Sequence, residues 1–373
     1  MRVLLVSKAY VVAEYRRKAA ELASLGVDLT LVAPRSWRDE RGDTPLEPGN
    51  DDGYRLCVLP LALNGHFHVH WFRGLGGLIR RCRPDIVHVE EEPYNLATGL
   101  ALAAARQAGA QGVFFTWQNL NRRYPLPFRL LERHCYRSAA HALAGNREAA
   151  AVLAAKGYRG PVTVLPQFGV DPARFSPGPV SPDGFTIGYV GRLVPDKGVD
   201  VLLRAAAGLS GDWSLSILGG GPEEDSLRRL AGELGVAPRV RWHEQIRSCE
   251  VPGHLRSLSC LVLPSRTRPN WKEQFGRVLV EAMACGVPVV GSDSGEIPNV
   301  IGEAGLVFPE DSEEGLRACL ERLQGSPSLR QELAQAGRKR VLEHYTQAAI
   351  ARQTVQVYEA VLGSMAGRNR SAQ

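Results

Sequence analysis

PSRTRPNWKEQFGRVLVEAMACGVPVVGSDSGEIP, residues 264–298, contains the clearest structural pattern in this 373-residue chain. The apolar run CLVLP that leads into it (260–264) is typical of a buried parallel strand. After a polar loop, apolar residues recur from Phe275 with the spacing of one helical face, and Gly286 favours the end of that helix. VPVV (287–290) then predicts the next strand. The stretch is therefore a strand–loop–helix–strand unit, and parallel sheets of this kind bind ligands at the carboxyl ends of their strands.

Two glutamates of this unit are candidate ligand-binding residues, Glu273 in the loop and Glu281 within the helix. Gly276 at the helix start lets main-chain N–H groups approach a ligand, and a helix N-terminus favours an anion. One interpretation is an anion at the helix end, with hydroxyl groups bound by two carboxylates that only accept hydrogen bonds. The alternative is that Glu273 interacts with the helix dipole and Glu281 is a solvated surface residue. Spacing alone leaves both open.

The sequence over residues 271–302 resembles the signature of the retaining GT-B glycosyltransferases of family 4, whose E-x7-E pair falls on Glu273 and Glu281. The resemblance implies an α/β protein with the GT-B fold, in which two doubly wound Rossmann-like domains face each other across a cleft. It also implies that Glu273 binds hydroxyls of the donor sugar and Glu281 binds the ribose of the nucleotide. The main chain expected to hold the sugar belongs to Gln274, Phe275 and Gly276.

A second part of the donor site is predicted in residues 187–209, IGYVGRLVPDKGVDVLLRAAAGL, where Gly191, Arg192 and Lys197 lie between a strand and a helix. Two cations beside permissive glycine backbone suit a diphosphate, although such a pair in isolation is more often a solvated loop. The segment resembles the family's glycine–arginine and lysine–glycine region. Arg192 and Lys197 are therefore expected to bind the diphosphate, and with Glu273 they are the predicted catalytic residues.

The nucleotide itself is expected to contact two further segments. Gly220, within three successive glycines (219–221), either lines the nucleotide pocket or makes a tight turn. Residues 239–248, RVRWHEQIRS, resemble the family's strand and loop that flank the nucleobase. The main chain near Gln245 and Ile246 is therefore expected to contact the base, whose identity this segment does not specify.

The first half of the chain also alternates strands and helices, which predicts a second parallel doubly wound sheet. The residues after its first strand, SKAYVVAEYRR (7–17), lack the G-x-G-x-x-G of a dinucleotide site, so NAD-type redox chemistry is not predicted. Lys8 and Tyr10 are candidate residues of the cleft on the acceptor side. A surface lysine and a packed tyrosine are the alternatives.

Members of the family commonly carry a histidine in a T-x-H segment, and here TWQN (116–119) places Gln118 and then Asn119 at that point. A glutamine can hydrogen-bond a sugar but cannot act as a general base. Glu92, the last of three successive glutamates, is the candidate acceptor contact or base, and His88 is expected in the core. RRYPLPFR (122–129) either touches a lipid-linked or anionic acceptor or is a plain surface loop.

Composition and charge limit the kinds of partner and the cellular compartment that we expect. Residues 1–170 hold 22 Lys/Arg against 15 Asp/Glu, a net +7, whereas residues 171–373 hold 23 against 24, a net −1. The basic half suggests an anionic surface or acceptor, with anionic lipid headgroups and nucleic acid as candidates, and no zinc-finger or RRM signature supports nucleic acid. The resemblance implies a saccharide or lipid-linked acceptor. Seven scattered cysteines without a C-x-x-C favour a reducing compartment. We therefore expect a cytoplasmic protein, peripheral to the inner face of the membrane, that needs no organic cofactor and, without a D-x-D motif, no metal.

The expected domains are an acceptor-binding domain (1–170), a linker rich in proline and glycine (171–184) and a nucleotide-sugar-binding domain (185–349). The resemblance implies that a last helix, about 350–365, packs back on the first domain. The polar stretch 35–53 lacks periodicity and is expected to be a loop.

The predicted activity is retaining transfer of a sugar from a nucleotide diphosphate to a hydroxyl, which the resemblance assigns to front-face attack. Two other functions stay open. A nucleotide-sugar epimerase of similar fold would need acid and base side chains facing the hexose. A non-catalytic sugar-nucleotide-binding protein would agree with Gln118 in place of the histidine.

Overall fold

The computed structural model describes residues 1–39, 42–179 and 184–371, with side chains described up to residue 364. The chain forms two compact units: unit 1 comprises Met1–Gly169 together with the chain from Gln347 onward, and unit 2 comprises Val170–Thr346. Each unit is built on one parallel sheet that helices cover, which confirms the predicted α/β class.

Unit 1 contains a seven-stranded parallel sheet in the order β11-β10-β9-β8-β1-β2-β5, with two small antiparallel hairpins, β3-β4 and β6-β7. Its strands are β1 (Arg2–Val6), β2 (Asp28–Pro34), β3 (Ser36–Asp39), β4 (Gly42–Pro45), β5 (Arg55–Leu59), β6 (Leu61–Ala62), β7 (Trp71–Phe72), β8 (Ile86–Val89), β9 (Gln111–Thr116), β10 (Ala139–Ala144) and β11 (Val162–Val164). Its first helices are α1 (Ala13–Ser24), α2 (Leu75–Cys82), α3 (Leu96–Gln107), α4 (Phe128–Ser138) and α5 (Arg147–Ala155).

Strand β1 shows why the sheet of unit 1 is buried on both faces. Its side chains alternate, so that Val3 and Leu5 pack in one core cluster with Leu22 of α1, whereas Leu4 and Val6 pack in another with Ile79 of α2. A continuous apolar run is therefore needed, and each fully buried Val or Leu side chain contributes about 1.5–3 kcal/mol of burial free energy.

Unit 2 contains a six-stranded parallel sheet in the order β14-β13-β12-β15-β16-β17. In chain order this is 3-2-1-4-5-6, the arrangement of a doubly wound nucleotide-binding sheet. The strands are β12 (Thr186–Val190), β13 (Ser214–Leu218), β14 (Val240–His243), β15 (Cys260–Leu263), β16 (Val289–Ser292) and β17 (Leu306–Phe308). The helices are α6 (Val199–Ala207), α7 (Glu224–Glu233), α8 (Val251–Arg256), α9 (Arg277–Ala284), α10 (Ile297–Ile301), α11 (Glu313–Gly325) and α12 (Pro327–His344).

The last helix, α13 (Gln347–Ser371), belongs to unit 1. Its buried side chains Ile350 and Tyr358 share a core cluster with Tyr10 and with Leu22 of α1. A hydrogen bond of 2.7 Å joins the hydroxyl of Tyr358 to Nδ1 of His88 on β8. The end of the chain is thus anchored to the sheet of unit 1 by apolar packing and by one buried polar contact.

Two expectations from the sequence differ from the structure. Within the stretch 171–184, expected to be a linker, the residues up to 179 group with unit 2. The ring of Phe175 is buried in its core, and Arg338 donates to the carbonyl oxygen of Phe175 (2.6 Å). Residues 180–183 lie outside the described part of the chain. Within the polar stretch 35–53, expected to be a loop, residues 36–39 and 42–45 form the strands of the hairpin β3-β4, whereas residues 46–53 have no regular secondary structure. Residues 40–41 are also outside the described ranges.

Candidate functional site

The candidate site of unit 2 lies where the strand order reverses, between β12 and β15. At such a point the loops after two neighbouring strands lead in opposite directions and leave a crevice at their carboxyl ends. The loop after β12 carries Gly191, Arg192 and Lys197, and the loop after β15 carries Glu273. The fold therefore brings two segments together that are about 80 residues apart in the sequence.

Lys197 and Glu273 form an ion pair at this point, with Nζ of the lysine 2.5 Å from Oε2 of the glutamate. The ammonium group also lies 4.7 Å from the ring centre of Trp271, which partly covers it. The two loops approach closely because Gly198 follows the lysine: a Cβ there would lie 2.1 Å from the carbonyl oxygen of Pro264. An ammonium has three donors, so this pair leaves capacity for a ligand.

Glu273 is held in place by main chain and side chain together. Its Oε2 accepts a hydrogen bond from the hydroxyl of Ser265 (3.0 Å), and its carbonyl oxygen accepts one from the N–H of Glu296 (3.1 Å). The main chain of Gly295, with φ at +57°, packs against the main chain of Glu273. A Cβ on Gly295 would lie 2.2 Å from the carbonyl oxygen of Glu273. Only glycine fits there, and the carboxylate is therefore preorganised.

The other predicted phosphate-binding groups lie in the loops that follow β12 and β13. The side chain of Arg192 is exposed, and its carbonyl oxygen accepts a hydrogen bond from the buried hydroxyl of Tyr189 (2.7 Å), which fixes the main chain of the loop. Gly219, at the end of β13, lies against Gly191, because a Cβ on it would be 2.1 Å from the carbonyl oxygen of Gly191. Gly220 follows and is exposed. The structure thus places Gly191, Arg192 and Gly220 at neighbouring strand ends.

Helix α9 begins immediately after Gly276, which has φ at +71° and is buried. The first main-chain N–H groups of α9 have no partner within the helix, and they carry the positive end of its dipole. Gln274 is exposed and Phe275 is half-buried beside them. Glu281 lies within α9, one helical turn after Arg277, and forms an ion pair with it. Nε of Arg277 and Oε1 of Glu281 are 2.8 Å apart.

Gln245 and Ile246 lie in the loop after β14, which is the edge strand of the sheet, two positions from β12. Gln245 is exposed and Ile246 is half-buried. Their proximity to a nucleobase stays a prediction.

In unit 1 the strand order reverses between β1 and β8, and the predicted residues Lys8 and Glu92 follow these strands. Lys8 pairs with the buried carboxylate of Glu91 through its ammonium group, and its N–H donates to the same carboxylate (2.7 Å). The ammonium also lies over the rings of Phe67 (4.6 Å) and Trp37 (5.2 Å). Lys8 is therefore at the predicted strand end, with its charge balanced by Glu91.

Tyr10, the other predicted residue of this loop, is fully buried. Its hydroxyl donates to Glu90 (2.7 Å), and Glu90 also pairs with the ammonium group of Lys18. Burial alone would raise the pKa of Glu90, but the ammonium group of Lys18 and the hydrogen bonds from Lys18 and Tyr10 hold the pKa below its ordinary value. Tyr10 thus belongs to a core network, which agrees with the packed alternative.

This buried network was not predicted from the sequence. Lys18 lies on an amphipathic helix whose pattern is also that of an ordinary solvated helix. His88 in β8 was expected in the core, and it is buried there, with its pKa lowered to about 3 by burial. It is therefore a neutral hydrogen-bonding residue near pH 7.

Glu92 binds the end of β9. Its carboxylate accepts hydrogen bonds from the hydroxyl of Thr116 (2.6 Å) and from the N–H of Trp117 (2.8 Å). Burial raises the pKa of Glu92 to about 7, although both hydrogen bonds act in the opposite direction. Gln118 and Asn119 follow and are buried, and the side-chain nitrogen atoms of both lack a hydrogen-bond partner among the described residues. Unpaired buried donors are costly, so these two amides are suited to a polar ligand.

Among the described residues, no group of three or more His, Cys, Asp or Glu side chains is arranged to hold a metal ion. None of the helices in the described ranges has both the length and the apolar composition that crossing a bilayer requires. All seven cysteines are free thiols in the structure.

The structure resembles glycosyltransferases of known structure over nearly its whole length. Sucrose-phosphate synthase from Thermosynechococcus elongatus matches with a TM-score of 0.72 and 19% identity, covering 98% of this chain and 100% of that one. HepE from Anabaena, in complex with UDP, matches with a TM-score of 0.73 and 16% identity over 96% of this chain and 100% of that one. At this identity the likeness shows the fold, which is GT-B.

Sequence relatives are more similar but are matched over a shorter length. The GDP-mannose-dependent alpha-(1-6)-phosphatidylinositol monomannoside mannosyltransferase of Mycolicibacterium smegmatis is 34% identical over 194 residues, 48% of this chain and 51% of that protein. The MMP alpha-(1->4)-mannosyltransferase of Mycolicibacterium hassiacum is 34% identical over 204 residues, 53% of this chain and 48% of that protein. The chain thus spans about half the length of the curated relatives it matches.

Two family models match side by side along the chain. Residues 15–174 match the model of Glycosyltransferase Family 4, and residues 173–340 match the model of Glycosyl transferases group 1. Together they include the reversal point of unit 2 and the E-x7-E signature that carried the resemblance. The chain belongs to glycosyltransferase family 4.

Proposed function

We propose that the chain is a retaining glycosyltransferase that moves a sugar from a nucleotide-diphosphate donor to a hydroxyl of an acceptor. The observation that carries the proposal is the Lys197–Glu273 pair, which stands at the reversal point of unit 2 beside the start of α9. A carboxylate that only accepts hydrogen bonds suits sugar hydroxyls, whereas an ammonium group and a helix N-terminus suit a diphosphate.

In the proposed reaction the bond between the anomeric carbon and the diphosphate oxygen breaks while a bond to the acceptor oxygen forms on the same face. The acceptor proton passes to the departing diphosphate oxygen. Negative charge grows on that diphosphate, so Arg192, Lys197 and the N–H groups at the start of α9 would stabilise the transition state. Since these groups supply positive charge, we propose that no divalent cation is needed.

For the donor we propose GDP-mannose as the first candidate. The M. smegmatis relative is named for its dependence on GDP-mannose. Glu281 would bind the ribose, and the loop with Gln245 and Ile246 would contact the base, as the family resemblance implies.

For the acceptor we propose a hydroxyl-bearing saccharide or glycolipid that meets the unpaired amides of Gln118 and Asn119 at the end of β9. Several features support a lipid-linked acceptor and a peripheral position at the cytoplasmic face of an anionic membrane. The M. smegmatis relative is named for a phosphatidylinositol glycolipid. Residues 1–170 carry the net positive charge of the chain, and its cysteines are unpaired.

The test is product analysis with GDP-, UDP-, ADP- and dTDP-sugars, with and without a glycolipid extract as acceptor. We expect nucleotide release that depends on the acceptor, a product linkage with the anomeric configuration of the donor, and a rate unchanged by EDTA. Epimerised donor without acceptor would instead support an isomerase. Stabilisation by a donor without any turnover would support a binding protein.

A further inference from the structure

The loop before α4 and the outer face of α4 expose unusual apolar surface. Leu126 and Leu130 are 60% and 56% exposed, the two largest exposures of large hydrophobic side chains in the described ranges. The N–H of Arg129 donates to the carbonyl oxygen of Pro125 (3.2 Å), which closes the turn that leads into α4. Leu126 lies in this turn and Leu130 in the first turn of the helix, so both contribute to an exposed apolar patch at the N-terminal end of α4.

Arginines extend this patch along the helix. Arg133 and Arg137 follow Leu130 by three and seven residues, which places them on the same face of α4 as that leucine, and both are exposed. Neither forms an ion pair with any described residue. Residues 121–138 include five arginines and one acidic residue, Glu132. That glutamate is buried under the helix and pairs with Lys156 (2.7 Å), so it does not balance the charge of the outer face.

The inner face of α4 accounts for the folding of the helix without the two leucines. Cys135 is fully buried, and the side chain of Leu131 lies 3.1 Å from where a Cβ on Gly99 of α3 would stand. Since the core contacts are made on this side, Leu126 and Leu130 are not required for packing. Their exposure is therefore a property of the surface.

We propose that Leu126, Leu130, Arg133 and Arg137 form a docking face for an anionic lipid bilayer. The inference rests on the membrane association proposed above and does not depend on the transfer reaction. The guanidinium groups would bind lipid phosphates while the leucines enter the interface, where lipid-bound amphipathic helices bury their apolar side chains.

The composition of the loop favours a bilayer over an acidic protein as the occupant of this docking face. The exposed tip, residues 125–127, is Pro-Leu-Pro. Proline has no N–H, so inserting this tip leaves fewer main-chain donors to be dehydrated. An acidic protein surface would bind the arginines but would offer nothing specific to the leucines.

The test is flotation of the full chain with vesicles of phosphatidylcholine alone or with about one-third phosphatidylglycerol, without donor or acceptor. We expect binding only to the anionic vesicles and weaker binding as salt rises. Leu126→Ser with Leu130→Ser should weaken it at least about 10-fold, and Arg133→Gln with Arg137→Gln roughly 25-fold, about 5-fold per arginine. The matched control pairs, exposed elsewhere, are Leu25→Ser with Leu342→Ser and Arg159→Gln with Arg322→Gln.

The controls should bind as the unaltered chain does, and all variants should keep the same thermal midpoint and the same stabilisation by GDP-mannose or another donor that binds. Absence of binding by the unaltered chain would overturn membrane association as a whole and favour an acidic protein partner. Binding that the docking-face pairs leave unchanged, or that the control pairs weaken equally, would overturn this face alone. Neither result would bear on sugar transfer.

Discussion

Replacing Lys197 by Met and Glu273 by Gln, singly and together, separates the stability of the ion pair from its role in binding a donor. The two side chains are 20% and 11% exposed, and their charged atoms are 2.5 Å apart. Either single change leaves one charge with less compensation at a largely buried place, whereas the double change removes both charges. Methionine and glutamine keep the approximate length of the side chains they replace.

The expected magnitudes follow from this burial. Removing one partner of a fully buried pair costs about 3–5 kcal/mol, and replacing both partners by neutral ones is often nearly neutral. Because the pair is partly open and Ser265 still donates to the glutamate, we expect roughly 2 kcal/mol for each single change. For a unit of this size that is a fall in melting temperature of about 4–8 °C. The double variant should return to within about 1 kcal/mol of the original chain.

Activity should not return with stability. The ammonium group is the proposed partner of the diphosphate and the carboxylate that of the sugar, so each single variant and the double variant should lose about 100- to 1000-fold in rate. Thermal unfolding and acceptor-dependent nucleotide release measure the two quantities on the same samples. Recovery of turnover in the double variant would show that the pair is structural, and near-normal turnover in both single variants would remove the site assignment.

Three other substitutions test single features of the two units. The free energy of unfolding of the original chain, measured by chemical unfolding, should fall by up to about 3 kcal/mol between pH 4.5 and 7. The reason is the raised pKa of Glu92, because of which the folded chain binds the proton more tightly than the unfolded chain over this interval. Glu92→Gln should abolish this fall. Trp271→Ala should lower kcat/KM for the donor about 2- to 30-fold by uncovering Lys197, and Trp271→Phe should lower it less. Gly295→Ala should cost at least about 2 kcal/mol in thermal unfolding and displace Glu273.

Each of these has its own control or contrary outcome. A Gly232→Ala change on α7, where a Cβ would meet nothing within 4 Å, should stabilise the chain by about 0.5–1 kcal/mol, so a loss there equal to that of Gly295→Ala would contradict the clash argument. Parallel stability profiles for Glu92→Gln and the original chain from pH 4.5 to 7 would contradict the raised pKa. Equal activity of Trp271→Ala and Trp271→Phe would show that the ring itself is not needed.

The donor half of the site was accessible from sequence because its geometry follows from short-range patterns. Glu273 and Gly276 stand at a strand–loop–helix junction, and Lys197 stands at another, so the parallel sheet alone implies that both lie at strand ends. Sequence could not reveal that these two side chains pair directly. That contact depends on the close approach of Gly198 to Pro264 in the folded chain, which local sequence patterns do not reveal.

The interior of unit 1 was harder to predict from the sequence, because it contains buried charged side chains. Lys18 and Glu90 are both buried, although charged residues are rarely so unless they are paired. The partner of each lies 72 residues away, and local periodicity carries no sign of it. For the same reason Tyr10 was a candidate for the acceptor side, whereas its hydroxyl belongs to this pair.

The pairing of Glu92 also bears on the absence of a histidine at Gln118. Both oxygens of Glu92 already accept hydrogen bonds, from Thr116 and from the main chain of Trp117, so the carboxylate orients the residues that precede Gln118. Each oxygen keeps a second lone pair, so these bonds orient the carboxylate without using all of its acceptor capacity. The unpaired amide nitrogen of Gln118 is a donor and cannot take the acceptor proton. The amide in place of a histidine favours the proposed route, in which the acceptor proton passes to the departing diphosphate.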